Sequence, residues 1–219
     1  MSAAPELPIT PELSRSRPDV FLPSFGGYIP QANELQGVTF WPRVAARLID
    51  AVVHYFAGYG SGWLFGRMVV MAANGHVPRA VILKFRHPGP SAFLFAVLGF
   101  LLYQVICASV CGSTLGKRLL SMVVVQEDGS SCKFTSAVVR ELGYFVDALF
   151  FGMIGYAAMQ DTDEQQRHGD DWAHTVVCKR NLIRPDVLRG EDRFILAFLL
   201  ALMANVAVRL VGFLVLMAE

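Results

Sequence analysis

The sequence predicts an all-α integral membrane protein with three to four apolar helices and a small β-hairpin or strand element at its cytoplasmic face. Hydrophobic residues make up 54% of the 219 residues, and the mean hydropathy is +0.44, which is too apolar for an ordinary soluble domain. Charged residues, 17% of the chain, cluster between the apolar runs. A net charge of +1 with no separate basic stripe argues against a nucleic-acid partner.

The chain begins with a proline-rich stretch that has no apolar run. We expect residues 1–37 to form a disordered cytoplasmic tail, because this composition cannot bury a core. We also expect no cleaved signal peptide, since such a peptide needs an apolar segment near the start.

Residues 42–73 are predicted to form a long helix on which ionisable groups and glycines share one face. At helical spacing, one stripe recurs every fourth residue: Asp50, His54, Gly58, Gly62 and Gly66. Glycines at this spacing let a neighbouring helix pack closely within a membrane. The polar part has two interpretations: Asp50 forms a structural ion pair with Arg43 or Arg47, or it builds an ion or proton site with His54.

The next apolar run, residues 92–110, carries no charge and is the clearest transmembrane helix. Lys117 and Arg118 follow it and are expected to anchor the chain at the lipid headgroups. A Gly-Lys pair occurs here, but the spacing of a phosphate-binding loop is absent. The four cysteines lack zinc-binding spacing and are expected to be buried free thiols, so we expect no metal and no cofactor.

Three short segments have the pattern of β-strands. Residues 122–125 and 132–135 flank an Asp-Gly turn and predict a hairpin. Because an isolated hairpin is marginally stable, the third segment, 174–179, is expected to pair with it.

Two further apolar segments complete the chain. Residues 136–160 are long enough to span a membrane but carry Arg140, Tyr144 and Asp147 on one face. Residues 194–218 form a C-terminal apolar run interrupted by Asn205 and Arg209. If 136–160 is re-entrant or interfacial, most Lys and Arg residues lie on the side of the N-terminus, which the positive-inside rule makes cytoplasmic.

Several blocks of the chain stand in a characteristic order and spacing: 40–50 (FWPRVAARLID), 114–118 (TLGKR), 123–125 (VVV), 128–129 (DG), 140–141 (RE) and 170–177 (DDWAHTVV). Together they resemble the RDD family of small membrane proteins, which is named for one arginine and two aspartates. The resemblance covers about 38–180 and leaves 181–219 as a linker and an additional helix. It places the family's charged residues at Arg43, Asp50 and Asp170.

The chain departs from the family pattern at its second aspartate. Gly169 stands where the family usually has histidine, His168 lies one place early, and Asp171 is an additional acid. Members of the family are suspected of transport or of acting as accessory subunits. If Arg43 and Asp170 act together, they must lie on the same side of the membrane.

Three functions fit these features. The first is a non-enzymatic packing or accessory module of a membrane complex, in contact with the lipid bilayer and with a second copy or a membrane-protein partner. The alternative is an oligomeric small-ion or proton-coupled transporter that uses Asp50, His54, Arg140 and Asp147. The third, an enzyme, would need a metal bound by His168, Asp170, Asp171 and His174, and we expect no enzyme. The expected location is the bacterial cytoplasmic membrane.

Overall fold

The structure is a computed structural model that describes residues 35–86, 89–183 and 191–218. The expected tail, residues 1–37, therefore lies almost wholly outside the described residues. In these described ranges, eight α-helices and two strands follow one another: α1 (Phe40–Ala72), α2 (Arg79–Arg86), α3 (Pro90–Cys111), α4 (Leu115–Leu119), β1 (Met122–Gln126), α5 (Phe134–Asp147), α6 (Leu149–Gln160), α7 (His168–Trp172), β2 (Thr175–Lys179) and α8 (Phe194–Ala218).

The long helices α1, α3 and α8 pack side by side. Within the described part of the chain, α3 and α8 are the two helices long and apolar enough to cross a membrane. Their contact uses glycines on both helices. Gly99 of α3 lies against Asn205, and a Cβ on Gly212 of α8 would come within 2.6 Å of Phe95. Phe65 of α1 stacks on Phe213 of α8, with ring centroids 5.1 Å apart.

The two strands form an antiparallel sheet in which Met122 lies opposite Lys179. The end of α3 lies against this sheet, because Gly112 adopts a left-handed conformation (φ 67°) and its carbonyl accepts from the Val124 amide at 2.8 Å. The segment before α1 also joins, with the Val38 amide donating to Val177 O at 2.7 Å. The start of α1, the end of α3 and the sheet therefore lie at one end of the helices, here called the sheet end.

The predicted hairpin is wrong, whereas the pairing of the third segment with 122–126 is confirmed. Residues 132–135 form no strand: Ser131 makes one isolated bridge to Val125, and α5 begins at Phe134. The physical reason lies at the edge of β1 opposite β2, where the Gln126 amide donates to Ser130 O but the Val124 amide donates to Gly112 O at the end of α3.

Residues 136–160 do not form one helix. The helical run is interrupted at Ala148, between α5 and α6, and Phe150 and Gly152 have positive φ (50° and 86°). A Cβ on Gly155 would lie 3.0 Å from the Asp147 Cβ, so α6 folds back against the end of α5. The segment turns within its length, as a re-entrant segment must.

We predict that Gly116→Ala lowers stability by about 1–3 kcal/mol, because its new Cβ would overlap the backbone carbonyl of Ala46 and force α4 away from α1. The control is Gly60→Ala in α1, where nothing lies within 4 Å of the added carbon. That change should be neutral or raise stability by up to about 1 kcal/mol through helix propensity. Thermal unfolding in detergent measures both, and equal effects would contradict the close α1–α4 contact.

Candidate functional site

The centre of the sheet end is the carboxylate of Asp170, which is fully buried. Three arginines from different parts of the chain surround it: Arg43 Nη1 at 2.5 Å, and Arg140 Nη2 and Arg167 Nη2 at 3.3 Å each. Burial alone would raise the pKa of Asp170, but the charges of Arg167, Arg140 and Arg43 outweigh it and hold that pKa well below its usual range.

All three guanidinium nitrogens of Arg43 donate hydrogen bonds at the sheet end. Besides its bond to Asp170, its Nε donates to Val38 O at 2.8 Å and its Nη2 donates to Gln165 O at 2.7 Å. Arg43 therefore ties the start of α1 to the segment that enters the sheet and to the loop before α7. The arginine and the second aspartate implied by the family resemblance are direct partners.

Asp50 lies in a separate cage, and no arginine among the described residues bonds to it. The expected ion pair with Arg43 or Arg47 is therefore not formed. Four donors fill its two carboxylate oxygens: Tyr103 Oη (3.2 Å), Gln104 Nε2 (3.1 Å), Thr114 Oγ1 (2.6 Å) and the Gly116 amide (2.8 Å). A carboxylate offers about four acceptor positions, so this one is saturated. The cage joins α1 to α3 and α4.

Arg47, the other arginine expected beside Asp50, bonds instead to Glu141 of α5 at 2.7 Å. Its guanidinium lies between two aromatic rings, 4.1 Å from the Tyr144 centroid and 4.9 Å from the Phe100 centroid. Stacking of this kind favours arginine at a partly buried position. Arg47 thus links α1 to α3 and α5.

Asp147 holds the start of α7. Its carboxylate accepts from the backbone amides of His168 (3.2 Å) and Gly169 (3.3 Å) and contacts His168 Nδ1. A side chain at position 169 has no room: a Cβ there would lie 2.6 Å from Arg140 O. The departure from the family pattern at Gly169 is therefore matched by a close approach of α7 to α5.

His54 lies apart from the charged cluster, in contact with Asn205 (2.9 Å) and Arg209 of α8. The guanidinium of Arg209 also covers Gly58, where a Cβ would come within 2.7 Å of it. Of the other two stripe glycines, Gly62 lies 3.7 Å from a Phe213 ring atom and Gly66 faces open space. Gly58 and Gly62 therefore pack against α8 side chains rather than against another backbone.

Lys117, one of the two expected headgroup anchors, is buried, with 8% of its surface exposed. Burial, followed by the charge of Arg140, lowers the pKa of Lys117 to about 7. The guanidinium of Arg118 lies over the Phe194 ring, 4.4 Å from its centroid. Lys117 therefore faces inward, whereas Arg118 contacts the start of α8.

Most of these side chains line one cavity of about 460 Å³. Asp50, Arg140 and Asp147, three of the four residues predicted for an ion or proton site, line it, whereas His54 does not. Its other charged lining residues are Arg43, Arg47, Lys117, Glu141 and Arg167.

No metal site is evident in the part of the chain that the structure describes, since no three His, Cys, Asp or Glu residues group there. His174 pairs with Glu127, and Asp171 is exposed, so the four residues weighed for an enzyme do not converge. The four cysteines are buried and free.

Sequence reasoning missed the roles of Glu141 and of the three side chains of the Asp50 cage. Tyr103 and Gln104 gave a usable signal, because they are the most polar residues of an otherwise apolar helix. The role of Glu141 gave none, because its partner, Arg47, lies 94 residues away in the chain.

These features define a small helical protein with two membrane-capable helices and a buried arginine–aspartate cluster beside a two-stranded sheet. The model of the RDD family matches residues 38–174, and the chain belongs to that family. It is 23% identical over 150 residues to "Uncharacterized protein YxaI" of Bacillus subtilis (strain 168), covering 66% of this chain and 95% of the relative. No solved structure matches.

We predict that Asp170→Asn destabilises the protein by about 3–5 kcal/mol, because it leaves three guanidinium groups without their shared counter-charge. Asp171→Asn is the matched control, since that neighbour is exposed, and it should change stability by no more than about 0.5 kcal/mol. Denaturant unfolding of the purified protein measures both. A loss for Asp170→Asn as small as that of the control would contradict the central role of this carboxylate.

We predict that Asp50→Asn costs about 1–3 kcal/mol, because an amide NH₂ would face donors in a site built from donors alone. Tyr103→Phe removes one of the four bonds and should cost less, about 1 kcal/mol. Thermal unfolding measures the loss of stability in both variants. A larger loss for Tyr103→Phe than for Asp50→Asn would contradict the role of the cage in joining α1 to α3 and α4.

Proposed function

We propose that this chain is a non-enzymatic integral membrane module that packs against a partner protein in the bacterial cytoplasmic membrane, with its N-terminus in the cytoplasm. Membership of the RDD family and the two membrane-capable helices, α3 and α8, support a membrane protein. The match to a bacterial relative, which covers 66% of this chain and 95% of the relative, supports the bacterial setting.

The position of the sheet end supports three crossings, by α1, α3 and α8. Arg43 begins α1 and bonds to Asp170, so an even number of crossings must separate them. Helices α1 and α3 supply two, and the turn between α5 and α6 adds none. Helix α8 starts beside Arg118 and ends where Lys84 Nζ donates to Leu216 O at 3.1 Å, at the far end. The basic residues near the sheet then favour its cytoplasmic placement.

The observation that carries the packing role is an exposed aromatic and aliphatic stripe along α1. The stripe, here called the α1 stripe, recurs at helical spacing and consists of Trp41, Leu48, Val52, Tyr55, Tyr59 and Trp63. Tyr59 is 71% exposed. Tyrosine and tryptophan each carry a polar group that hydrocarbon cannot satisfy. A protein helix that offers acceptors fits the middle of this stripe better than lipid tails do.

The transporter alternative is less favoured by the geometry of Asp50. Four protein donors already occupy its carboxylate, so a cation would have to displace them. His54, the second residue of that hypothesis, lies in a different network with Asn205 and Arg209.

The test places a photo-reactive benzoylphenylalanine at Tyr59 in the full-length protein in native membranes. We expect a discrete protein adduct after irradiation, because the α1 stripe contacts a partner. The control is the same group at Leu200, an exposed position on α8. An adduct of twice the chain mass would identify the partner as a second copy. Adducts from both positions, or from neither, would contradict a docking face on α1.

A further inference from the structure

The cavity at the sheet end has an uneven balance of hydrogen-bonding groups. Each carboxylate that lines it is already engaged: Asp50 by its cage, Glu141 by Arg47, and Asp147 by the start of α7. Acceptors in the lining are therefore occupied.

Several hydrogen-bond donors of the lining residues, in contrast, have no partner. Among the residues that the structure describes, the buried nitrogens without a hydrogen-bond partner include Lys117 Nζ, Arg140 Nε and Nη1, and Arg47 Nε. Arg140 Nε is 3.9 Å from Glu141 Oε1, too far for a hydrogen bond. All three side chains line the cavity, and Arg140 is only 1% exposed. Unpaired buried donors are costly, and charged ones most of all.

The charges of the lining residues also favour an anion over a cation. Five basic side chains line the cavity: Arg43, Arg47, Lys117, Arg140 and Arg167. They outnumber the acidic groups, which are Asp50, Glu141 and Asp147 of the lining and Asp170, the shared partner of three of the arginines. A cation entering here would meet net positive charge. An anion would meet unpaired ammonium and guanidinium groups in a partly buried setting, where charge-assisted hydrogen bonds are strong.

The donors lie on three different helices, and this favours a tetrahedral oxyanion as the ligand. Lys117 comes from α4, Arg140 from α5 and Arg47 from α1, so the three side chains approach from three helices. A tetrahedral phosphate presents oxygens in several directions, whereas a carboxylate presents both of its oxygens in one plane. The remaining lining includes Phe40, Leu48 and Phe100, which can cover an apolar group attached to the anion.

We propose that this cavity binds a phosphate group, held by Lys117, Arg140 and Arg47. The group belongs either to a soluble phosphate or to the headgroup of an anionic phospholipid, and the two share the chemistry of recognition. This assignment is independent of the docking role of the α1 stripe. The low pKa of Lys117 agrees with it, since a bound anion would restore the charged ammonium.

The experiment measures binding by the full-length protein in neutral detergent, through the rise in its unfolding temperature. One arm adds inorganic phosphate at constant ionic strength. The other adds dioleoylphosphatidylglycerol to the micelles, with dioleoylglycerol as the phosphate-free lipid control. We expect a saturable rise in one arm. Saturation by inorganic phosphate identifies a soluble ligand, and saturation by the phospholipid alone identifies a headgroup.

Lys117→Gln should weaken that binding about tenfold, because it removes one charge-assisted bond. Lys133→Gln is the matched control, since Lys133 is exposed, lies outside the cavity and loses the same charge. Its affinity should equal that of the unchanged protein. No saturable binding in either arm, or equal weakening by both substitutions, would overturn the proposal.

A second readout uses the unchanged protein and so does not depend on the folding of a variant. Acetylation by acetic anhydride is followed residue by residue by mass spectrometry. The bound anion should slow acetylation of Lys117 by about tenfold and leave Lys133 unaffected, because a protonated amine held by phosphate is not a nucleophile. An unchanged rate at Lys117 under saturating ligand would also overturn the proposal.

Discussion

The buried carboxylate of Asp170 is the interaction on which the sheet end depends. It gathers Arg43 from α1, Arg140 from α5 and Arg167 from the turn before α7, and Arg43 lies 127 residues away in the chain. Desolvation cancels much of the attraction in such a cluster, so its main effect is to decide which elements meet. Once these elements have met, α7 lies against α5, the sheet closes on α1, and α5 and α6 stay at one end of the long helices.

The two aspartates of the family signature are balanced in different ways, and the cavity follows from that difference. Asp170 takes three cations as partners, whereas Asp50 takes only neutral donors. Because Asp50 neutralises no cation by direct bonding, Lys117 and part of Arg140 remain unpaired. The same choice joins α1 firmly to α3 and α4. The neutral hydrogen bonds of Asp50 thus have two consequences: they join these helices, and they leave cationic groups in the cavity without a partner.

The sequence predicted the elements with strong local signals and missed the partners set by distant contacts. The apolar runs at α3 and α8 and the turn inside 136–160 follow from composition, spacing and charge. The partners of Asp50 could not be predicted in this way. Arg47, three residues before Asp50, is a good local candidate, but it bonds to Glu141, which lies 94 residues further along the chain. Likewise 132–135 has strand-like residues, yet β2 completes the sheet. Lys117 resembles a surface anchor in sequence, and only packing of α4 against α1 places it inside.

The most direct test of this account is a double-mutant cycle between Arg43 and Asp170. Stability is measured for the unchanged protein, for Arg43→Gln, for Asp170→Asn and for the double variant. If the two side chains are direct partners in a buried cluster, their effects should be non-additive by about 1–3 kcal/mol. Additivity within about 0.5 kcal/mol would mean that they do not interact, and the arrangement of the sheet end described above would be incorrect.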